Sequence, residues 1–306
     1  MRVGVIDMGT NSTRLLVADV AGGELHEVER LLTITRLGAH VDRDRRLADA
    51  AMGRTRKAVS GYVARARELS ADAILATATS AVRDSANGET FMQSLGRDLD
   101  IDARILSGQE EANATFRGVT FKHLSDQPLA VIDVGGGSTE IVVGAGKRVL
   151  GSVSLQAGCV RATERWLTED RIQPEQLTTA RQAIDVLLDQ HLPASLIASV
   201  QSDPIAVAGT ATTLAALDLG LDRYDAARIH GHRVTRDTVA MWIARLAPLT
   251  AEQRRADHPA IERGRSTVLV GGSLVLLAVL DALEADAFIA SESDSLDGLA
   301  LGIGAT

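Results

Sequence analysis

Short apolar runs alternate along this chain with longer segments in which apolar residues recur at helical spacing. Residues 2–35 predict three strands, with the turn between the second and third at Gly22-Gly23. Further strands are predicted at residues 73–76, 102–106, 129–132, 141–143, 147–153, 205–208 and 287–290, and helices at residues 47–69, 89–98, 174–190, 209–219, 236–246, 262–283 and 296–303. Because strands and helices alternate, the pattern predicts an α/β fold.

The most informative segment is Asp133-Val-Gly-Gly-Gly-Ser-Thr-Glu140, which lies between two of these apolar strands. Three successive glycines let backbone N–H groups approach a ligand without a Cβ in the way. Consecutive N–H groups in a tight turn form a concavity that binds anions, phosphate above all. The carboxylate of Asp133, at the end of a strand, is suited to hold a hard cation such as Mg²⁺.

The N-terminus carries a second copy of this strand–turn–strand pattern, in which Asp7-Met-Gly-Thr-Asn-Ser-Thr-Arg14 joins two apolar strands. One such turn alone is as compatible with an ordinary hairpin as with a binding loop. Because the whole pattern is repeated, we predict two related half-molecules that face each other across a phosphate site. The polar segment Ser125–Pro128 is the predicted boundary. It gives domains of residues 1–124 and 125–306, with the possibility that the last helix packs back on the first domain.

Composition and charge exclude some classes of function. Aromatic residues make up 3% of the chain and the formal net charge is −8, so neither base stacking nor general nucleic-acid binding is expected. A polyanionic substrate therefore needs a locally basic site. The single cysteine, Cys159, allows no internal disulfide, and the N-terminal apolar run is too short for a signal peptide. We expect a cytoplasmic protein without a membrane segment. The sequence does not determine the oligomeric state, and a homodimer is one of the alternatives.

Two further residues are candidates for chemistry. Arg83 follows a strand end in a loop of small residues, where a phosphate contact is about as plausible as an ordinary surface position. Ser107-Gly-Gln-Glu110 predicts a capping box at the start of a helix, which gives Glu110 a structural role. Glu111 then remains at the positive end of the helix dipole, either to compensate the dipole or to act as a general base that positions water.

Each of three other segments is compatible with both a functional and a structural interpretation. The helix at 47–69 has a basic stripe that is either a solvated face or a guide for a long polyanion. Gly209-Thr-Ala-Thr-Thr213 follows a strand and opens a helix, which makes an anion or nucleotide contact plausible, although it has no Walker lysine. His230 and His232 are spaced like metal ligands, but without further ligands nearby we expect hydrogen-bonding roles. The basic stripe consists of Arg54, Arg56, Lys57, Arg65 and Arg67.

With these segments in hand, the sequence resembles the exopolyphosphatase/guanosine pentaphosphate phosphohydrolase (Ppx/GppA) family of the sugar kinase–Hsp70–actin superfamily. The resemblance spans nearly the whole chain. It rests on both Asp-x-Gly turns, Ala76–Asp84, Ser107–Ala112, Gly209-Thr-Ala-Thr and His230-Gly-His. It implies two ribonuclease-H-like (actin-like ATPase superfamily) domains, with the active site in the cleft between them and hydrolysis of a terminal phosphoanhydride bond. The chain is similar to the short form, without the C-terminal helical domain of the HD type.

The resemblance also implies a role for individual residues. Glu111 would be the catalytic glutamate that activates water. The carboxylates of Asp7, Asp133 and Glu140 would hold Mg²⁺, with Mn²⁺ as an alternative. The phosphate contacts would be Thr10, Asn11, Ser12, Arg83, Gly135, Gly136, Gly137, Ser138 and Thr139.

The sequence departs from the family pattern near its C-terminus. Where the family has Arg-x-Asp or Arg-x-Glu, this chain has Arg265-Ser-Thr267. Where the family has Gly-Leu-Arg-Glu-Gly, this chain has Asp294-Ser-Leu-Asp-Gly298, which removes an arginine and adds an acid. If that arginine helps to bind a long anionic substrate, the preference for chain length differs here.

We therefore expect Mg²⁺-dependent hydrolysis of the terminal bonds of inorganic polyphosphate, with release of orthophosphate. Hydrolysis of polyphosphate, or of both substrates, is favoured over hydrolysis of a pentaphosphate nucleotide alone, because the short form lacks extra C-terminal sequence and no base-stacking aromatic residue is evident. The alternatives are a guanosine pentaphosphate phosphohydrolase, or a polyphosphate- or nucleotide-binding sensor with weak catalysis. A kinase of the same superfamily is disfavoured by the Ser107–Ala112 motif, since a kinase needs no equivalent of Glu111.

Overall fold

The computed structural model describes residues 1–121, 127–200 and 202–304. The chain divides into two compact units. The first is Met1–His123 with Ser293–Thr306, and the second is Leu124–Glu292. The first half of the predicted boundary Ser125–Pro128, residues 125 and 126, lies outside the described residues.

The first unit is built on a mixed sheet. Its strands are β1 (Arg2–Met8), β2 (Ser12–Ala21), β3 (Glu24–Ile34), β4 (Ala73–Ala78) and β5 (Asp102–Ile105), and its helices are α1 (Val41–Asp44), α2 (Asp49–Glu68), α3 (Ser80–Arg83), α4 (Gly88–Leu99) and α5 (Gly108–Thr120). The strand order is β3-β2-β1-β4-β5. Strands β1, β2 and β3 pair antiparallel, whereas β4 runs parallel to β1 and β5 runs parallel to β4.

The second unit repeats this topology. Its strands are β6 (Leu129–Val134), β7 (Thr139–Ala145), β8 (Arg148–Leu155), β9 (Ile205–Val207), β10 (Arg233–Thr235) and β11 (Ala287–Ala290), and its helices are α6 (Cys159–Trp166), α7 (Pro174–His191), α8 (Ala194–Ile197), α9 (Ala208–Asp218), α10 (Ala226–Ile229), α11 (Arg236–Leu246), α12 (Ala251–Asp257) and α13 (Leu269–Ala282). The order β8-β7-β6-β9-β11 matches β3-β2-β1-β4-β5 strand for strand, and β10 adds an antiparallel edge to β11. The predicted α/β class and the ribonuclease-H-like arrangement of each half are confirmed.

The last helix, α14 (Ser295–Ile303), returns to the first unit. Its apolar residues Leu296, Ala300 and Leu301 are buried with Val3 and Val5 on one face of the sheet. The other face carries Ile6 and Met8 of β1, which are buried with residues of α2. Because helices cover both faces, β1 and β2 are apolar along most of their length.

Helices α5 and α14 cross at very short distance because both have glycine at the crossing. A Cβ added to Gly298 would lie 1.8 Å from the backbone O of Ala114, and one added to Gly118 would lie 1.8 Å from the backbone O of Asp294. No side chain larger than hydrogen fits at either position without separating the helices. The crossing therefore fixes α5 against α14.

Most predicted elements are present, and their ends differ where polar residues intervene. The helix predicted over 262–283 begins only at Leu269, because residues 262–267 form turns in which Arg265 N donates to Glu262 O and Val268 N to Arg265 O, each at 2.9 Å. Residues 42–46, which lie between the predicted third strand and the helix at 47–69, contain most of the short helix α1, and the loop that holds Arg83 contains α3. None of the helices formed by the described residues combines the length and apolar character needed to cross a bilayer.

Candidate active site

The two Asp-x-Gly turns occupy equivalent positions in the two sheets. In the first unit, Asp7 lies opposite Arg14 in the β1–β2 pair. In the second unit, Asp133 lies opposite Glu140 in the β6–β7 pair. The repeat seen in the sequence is therefore a repeat of structure, although the residue that faces the aspartate is basic in one copy and acidic in the other.

The first turn, Gly9–Ser12, is held from one side by the segment that follows β3. Gly38 N donates to Thr10 O at 2.9 Å, and Thr35 N and Arg36 N donate to Asn11 O at 3.1 and 2.9 Å. In a trans peptide the N–H group points away from the C=O group of the same unit. The N–H groups of Asn11 and Ser12 are therefore directed away from residues 35–38, as an anion-binding turn requires.

The glycine-rich turn of the second unit is held in the same manner by the start of α6. Cys159 N donates to Gly135 O at 2.9 Å, and Val160 N donates to Gly136 O at 2.8 Å. The N–H groups of Gly136 and Gly137 are consequently directed away from α6. A Cβ on Gly158 would lie 2.5 Å from the carbonyl carbon of Gly136, so the contact requires glycine on the helix side as well.

The hydroxyl groups of the two turns differ in their availability. Thr10 is buried, and its Oγ1 lies 3.2 Å from the Oγ of Ser80, a residue of α3 that the sequence did not single out. Ser138 and Thr139 are buried, and the Thr139 hydroxyl donates to Ala157 O. The hydrogen of Thr139 is thus used within the fold, so a contact from its side chain to phosphate is disfavoured.

Asp7 is a buried carboxylate with one free oxygen. Its Oδ2 accepts a hydrogen bond of 2.8 Å from Arg14, whereas its Oδ1 has no hydrogen-bond partner among the described residues. Burial raises the pKa of Asp7 above its usual range, against the opposing effect of Arg14. Arg14 also pairs with Asp294, at the start of α14.

The second unit places two acids opposite each other across β6–β7. Asp133 is 8% exposed and Glu140 is fully buried. Glu140 Oε1 accepts a hydrogen bond of 2.7 Å from the Ser154 hydroxyl. Like charges directly opposite on neighbouring strands destabilise the pair, and a bound cation would relieve this repulsion.

Glu111, the predicted general base, and Arg83, a predicted phosphate contact, lie together in the first unit. Glu111, in the first turn of α5, is 9% exposed, and its Oε2 is 3.4 Å from Arg83 Nη1. Arg83 is anchored by donating to Leu106 O at 2.7 Å, immediately before α5. Because a guanidinium has five N–H donors, Arg83 can hold Glu111 and still contact a ligand.

The capping box that separates Glu110 from Glu111 is confirmed. Ser107 Oγ accepts from Glu110 N at 3.2 Å, and Ser107 N donates to Glu110 Oε2 at 2.8 Å. Glu110 is exposed and occupied by the cap, while Glu111 points into the protein. Two adjacent acids of one helix turn therefore have different environments.

The sequence did not identify Arg265 as a functional residue, only as a departure from the family. Its guanidinium lies against the start of α9, where a Cβ on Gly209 would be 0.9 Å from Arg265 Nη1. Ala208 beside it has φ of 64°, a conformation rare for residues with a side chain. Arg265 also pairs with Glu262 at 2.7 Å. The Gly209–Thr213 segment thus has the guanidinium of Arg265 at its glycine. The two residues are 56 positions apart in the sequence, so the sequence pattern gave no sign of this contact.

Side chains of the other candidate segments make contacts within the fold. Within the basic stripe of α2, Arg56 pairs with Asp98, and Arg65 pairs with Glu29 and Glu68. This favours the interpretation as a solvated face.

The two histidines also make hydrogen bonds within the fold. His232 Nε2 lies 2.7 Å from Asp218 Oδ2, and His230 Nδ1 accepts from Glu292 N at 3.2 Å. Cys159 is a buried free thiol, and burial raises its pKa to about 11.

Magnesium fits the donors that are present. Among the described residues, no group of three or more histidine, cysteine or acidic side chains is placed to hold a metal ion. Mg²⁺, however, keeps several waters and usually takes only one or two carboxylates besides the phosphate oxygens of a substrate. The free Oδ1 of Asp7 is a donor of this kind.

Comparison with known proteins gives the class of this chain. The sequence model of the Ppx/GppA phosphatase family matches residues 16–303, so the chain belongs to that family of hydrolases. Exopolyphosphatase 2 of Mycobacterium tuberculosis is 39% identical to it, over 99% of this chain and 98% of that protein.

Solved structures agree with this assignment over the whole chain. The crystal structure of an exopolyphosphatase-like protein has a TM-score of 0.94 at 34% identity, and covers 99% of this chain and 98% of its own. The PPX-GPPA enzyme of Aquifex aeolicus has a TM-score of 0.82 at 27% identity, with 99% of both chains covered. The predicted family resemblance is confirmed.

Proposed function

We propose that this protein is an exopolyphosphatase, which removes orthophosphate from the ends of inorganic polyphosphate. The observation that carries the proposal is the buried Glu111 beside Arg83, because phosphoanhydride hydrolysis needs both a base for water and a cation for phosphate. The M. tuberculosis relative that is 39% identical carries the name exopolyphosphatase, which supports the same substrate.

In the proposed reaction, Glu111 accepts a proton from a water molecule as the water oxygen attacks the terminal phosphorus. The bond from that phosphorus to the bridging oxygen breaks, and the shortened chain leaves with the bridging oxygen. Arg83 and the N–H groups of Asn11 and Ser12 stabilise the charge on the non-bridging oxygens. The turn at Gly136-Gly137 supplies N–H groups for phosphate oxygens in the second unit.

We also propose that Mg²⁺ is the cofactor. In the first unit, Asp7 would offer a carboxylate oxygen to the ion. In the second unit, Asp133 and Glu140 would offer theirs. Mn²⁺ has the same preference for oxygen ligands. When bound, the ion neutralises charge on the phosphate oxygens. Asp7 would contribute Oδ1, while Arg14 keeps Oδ2 in place.

A substrate panel tests the proposal directly. Phosphate release is measured with Mg²⁺ on long polyphosphate, tripolyphosphate, guanosine pentaphosphate and ATP at equal ionic strength. Release mainly from polyphosphate supports an exopolyphosphatase. Release only from guanosine pentaphosphate would show a pentaphosphate phosphohydrolase instead, and tight polyphosphate binding without release would show a sensor.

The Asp7→Asn variant tests the role of Asp7 in metal binding. The substitution keeps the shape of the side chain but removes the charge that attracts a dication. We expect the Mg²⁺ concentration for half-maximal activity to rise about tenfold or more, since each 1.4 kcal/mol of lost binding is a factor of ten. Direct titration of Mg²⁺ binding by calorimetry is the second readout, and unchanged binding of the ion would exclude Asp7 as a ligand.

A further inference from the structure

The segment between β3 and α2, Arg36–Leu47, is unusually basic for this chain. It contains four arginines against two aspartates, a formal charge of +2, whereas the whole chain is formally −8. Arg43 pairs with Asp44 at 2.7 Å. Within the described residues, Arg36, Arg45 and Arg46 are exposed and no acidic side chain pairs with them. We call residues 36–47 the basic segment.

The basic segment is fixed to the first unit by its apolar residues. Leu37, Val41 and Leu47 are each at most 2% exposed and belong to the core beneath the sheet. A Cβ on Gly38 would lie 2.4 Å from Thr10 Cγ2 and 2.7 Å from Ala81 Cβ, so the segment packs closely on the first turn and on α3. Its arginines therefore project from an ordered framework.

Hydrogen bonds connect the start of the basic segment to two proposed phosphate contacts, and its end to residues that follow a third, Arg83. At the start, Arg36 N and Gly38 N donate to the carbonyls of Asn11 and Thr10. At the other end, Ala86 N donates to Arg45 O at 2.9 Å, three residues after Arg83. The side chain of Asn87 bonds both Leu47 N and Leu47 O, at 2.8 and 3.0 Å.

The backbone of the basic segment is locally strained at its basic residues. Arg36, His40 and Arg45 have φ of 49°, 63° and 52°, a left-handed conformation that residues with a side chain rarely adopt. Such conformations are kept only where the surrounding structure imposes them, and they cluster at ligand sites. Two of these residues, His40 and Arg45, are the N-cap and C-cap residues of the short helix α1.

We propose that the basic segment binds the phosphate groups that follow the terminal one, through Arg36, Arg45 and Arg46, and so makes the protein prefer long polyphosphate. The inference rests on the proposed function. A chain of only three phosphates has few groups beyond the one that reacts, whereas a long chain presents a continuous line of charge. Each arginine that neutralises a phosphate also releases a counterion, so binding of the long chain depends on salt.

The test compares kcat/KM on long polyphosphate with kcat/KM on tripolyphosphate. For the double variant Arg45→Ala/Arg46→Ala we expect the ratio of the two to fall about tenfold, and its dependence on salt concentration to become less steep by about one to two units in a log–log plot. The matched control is Lys57→Ala/Arg97→Ala, which removes two exposed charges from α2 and α4. Its ratio should stay within about twofold of the wild type.

The outcomes separate this inference from the function on which it rests. If the wild type hydrolyses polyphosphate but the double variant keeps the wild-type ratio, only the role of the basic segment is overturned. An equal fall on both substrates, or an equal fall in the control, overturns it as well. If the wild type releases no phosphate from polyphosphate of any length, both proposals fail.

Discussion

Replacing Glu111 by glutamine is expected to lower kcat on polyphosphate about a thousandfold, with a small change in KM. Glutamine keeps the size of the side chain and its contact with Arg83, but it cannot accept a proton from water at neutral pH. General-base catalysis is typically worth between about a hundredfold and ten-thousandfold in rate. Steady-state release of orthophosphate measures the effect, and circular dichroism checks that the fold is intact.

The neighbouring residue provides a matched control for this variant. Glu110→Gln makes the same chemical change one position earlier, where the side chain closes the capping box with Ser107. Glutamine is also accepted at that position of a capping box, so we expect kcat within about twofold of the wild type and a loss of stability below about 1 kcal/mol. Equal losses in both variants, or more than a tenth of the wild-type rate in Glu111→Gln, would exclude Glu111 as the base.

Replacing Gly298 by valine is expected to destabilise the first unit by about 3 kcal/mol or more. The Cβ alone would lie 1.8 Å from Ala114 O, so α5 and α14 must separate. Because Glu111 lies on α5, activity at a permissive temperature should fall as well. Urea unfolding followed by circular dichroism measures the first effect, and phosphate release measures the second.

Gly61→Ala is the control for the helix crossing. Gly61 lies inside α2, and nothing lies within 4 Å of a Cβ added there. Alanine is favoured over glycine inside a helix, so this variant should gain about 0.5–1 kcal/mol. If Gly298→Val unfolded at the same urea concentration as the wild type, the close crossing of α5 and α14 would be wrong.

The sequence predicted those parts of the site that depend on local chemistry. The turn at Asp133–Glu140 and its N-terminal copy require glycine and hydroxyl residues in a short span. Such a span can be recognised in the sequence without knowing which distant residues contact it. The capping box likewise involves only Ser107 and Glu110, three residues apart, and distinguishes Glu111 from its neighbour.

The remainder of the site depends on residues that are distant in sequence. The carbonyls of the first turn are held by residues 35–38, a segment that begins at the end of the predicted third strand and showed no sign of this contact in the sequence. Asp297, in the departure Asp294–Gly298, pairs with Arg30 of β3 at 2.9 Å. Asp297 therefore has a structural role inside the first unit.

The return of α14 to the first sheet has a consequence for synthesis on the ribosome. Leu296 and Leu301 cover the face of β1 that contains Val3 and Val5, yet they are translated after the whole of Leu124–Glu292. Domains usually fold in the order in which they emerge. Here the segment that emerges first keeps an uncovered apolar face until the last helix leaves the exit tunnel. We therefore expect the nascent first unit to bind chaperones through this apolar face. The second unit can complete its core before the first unit does.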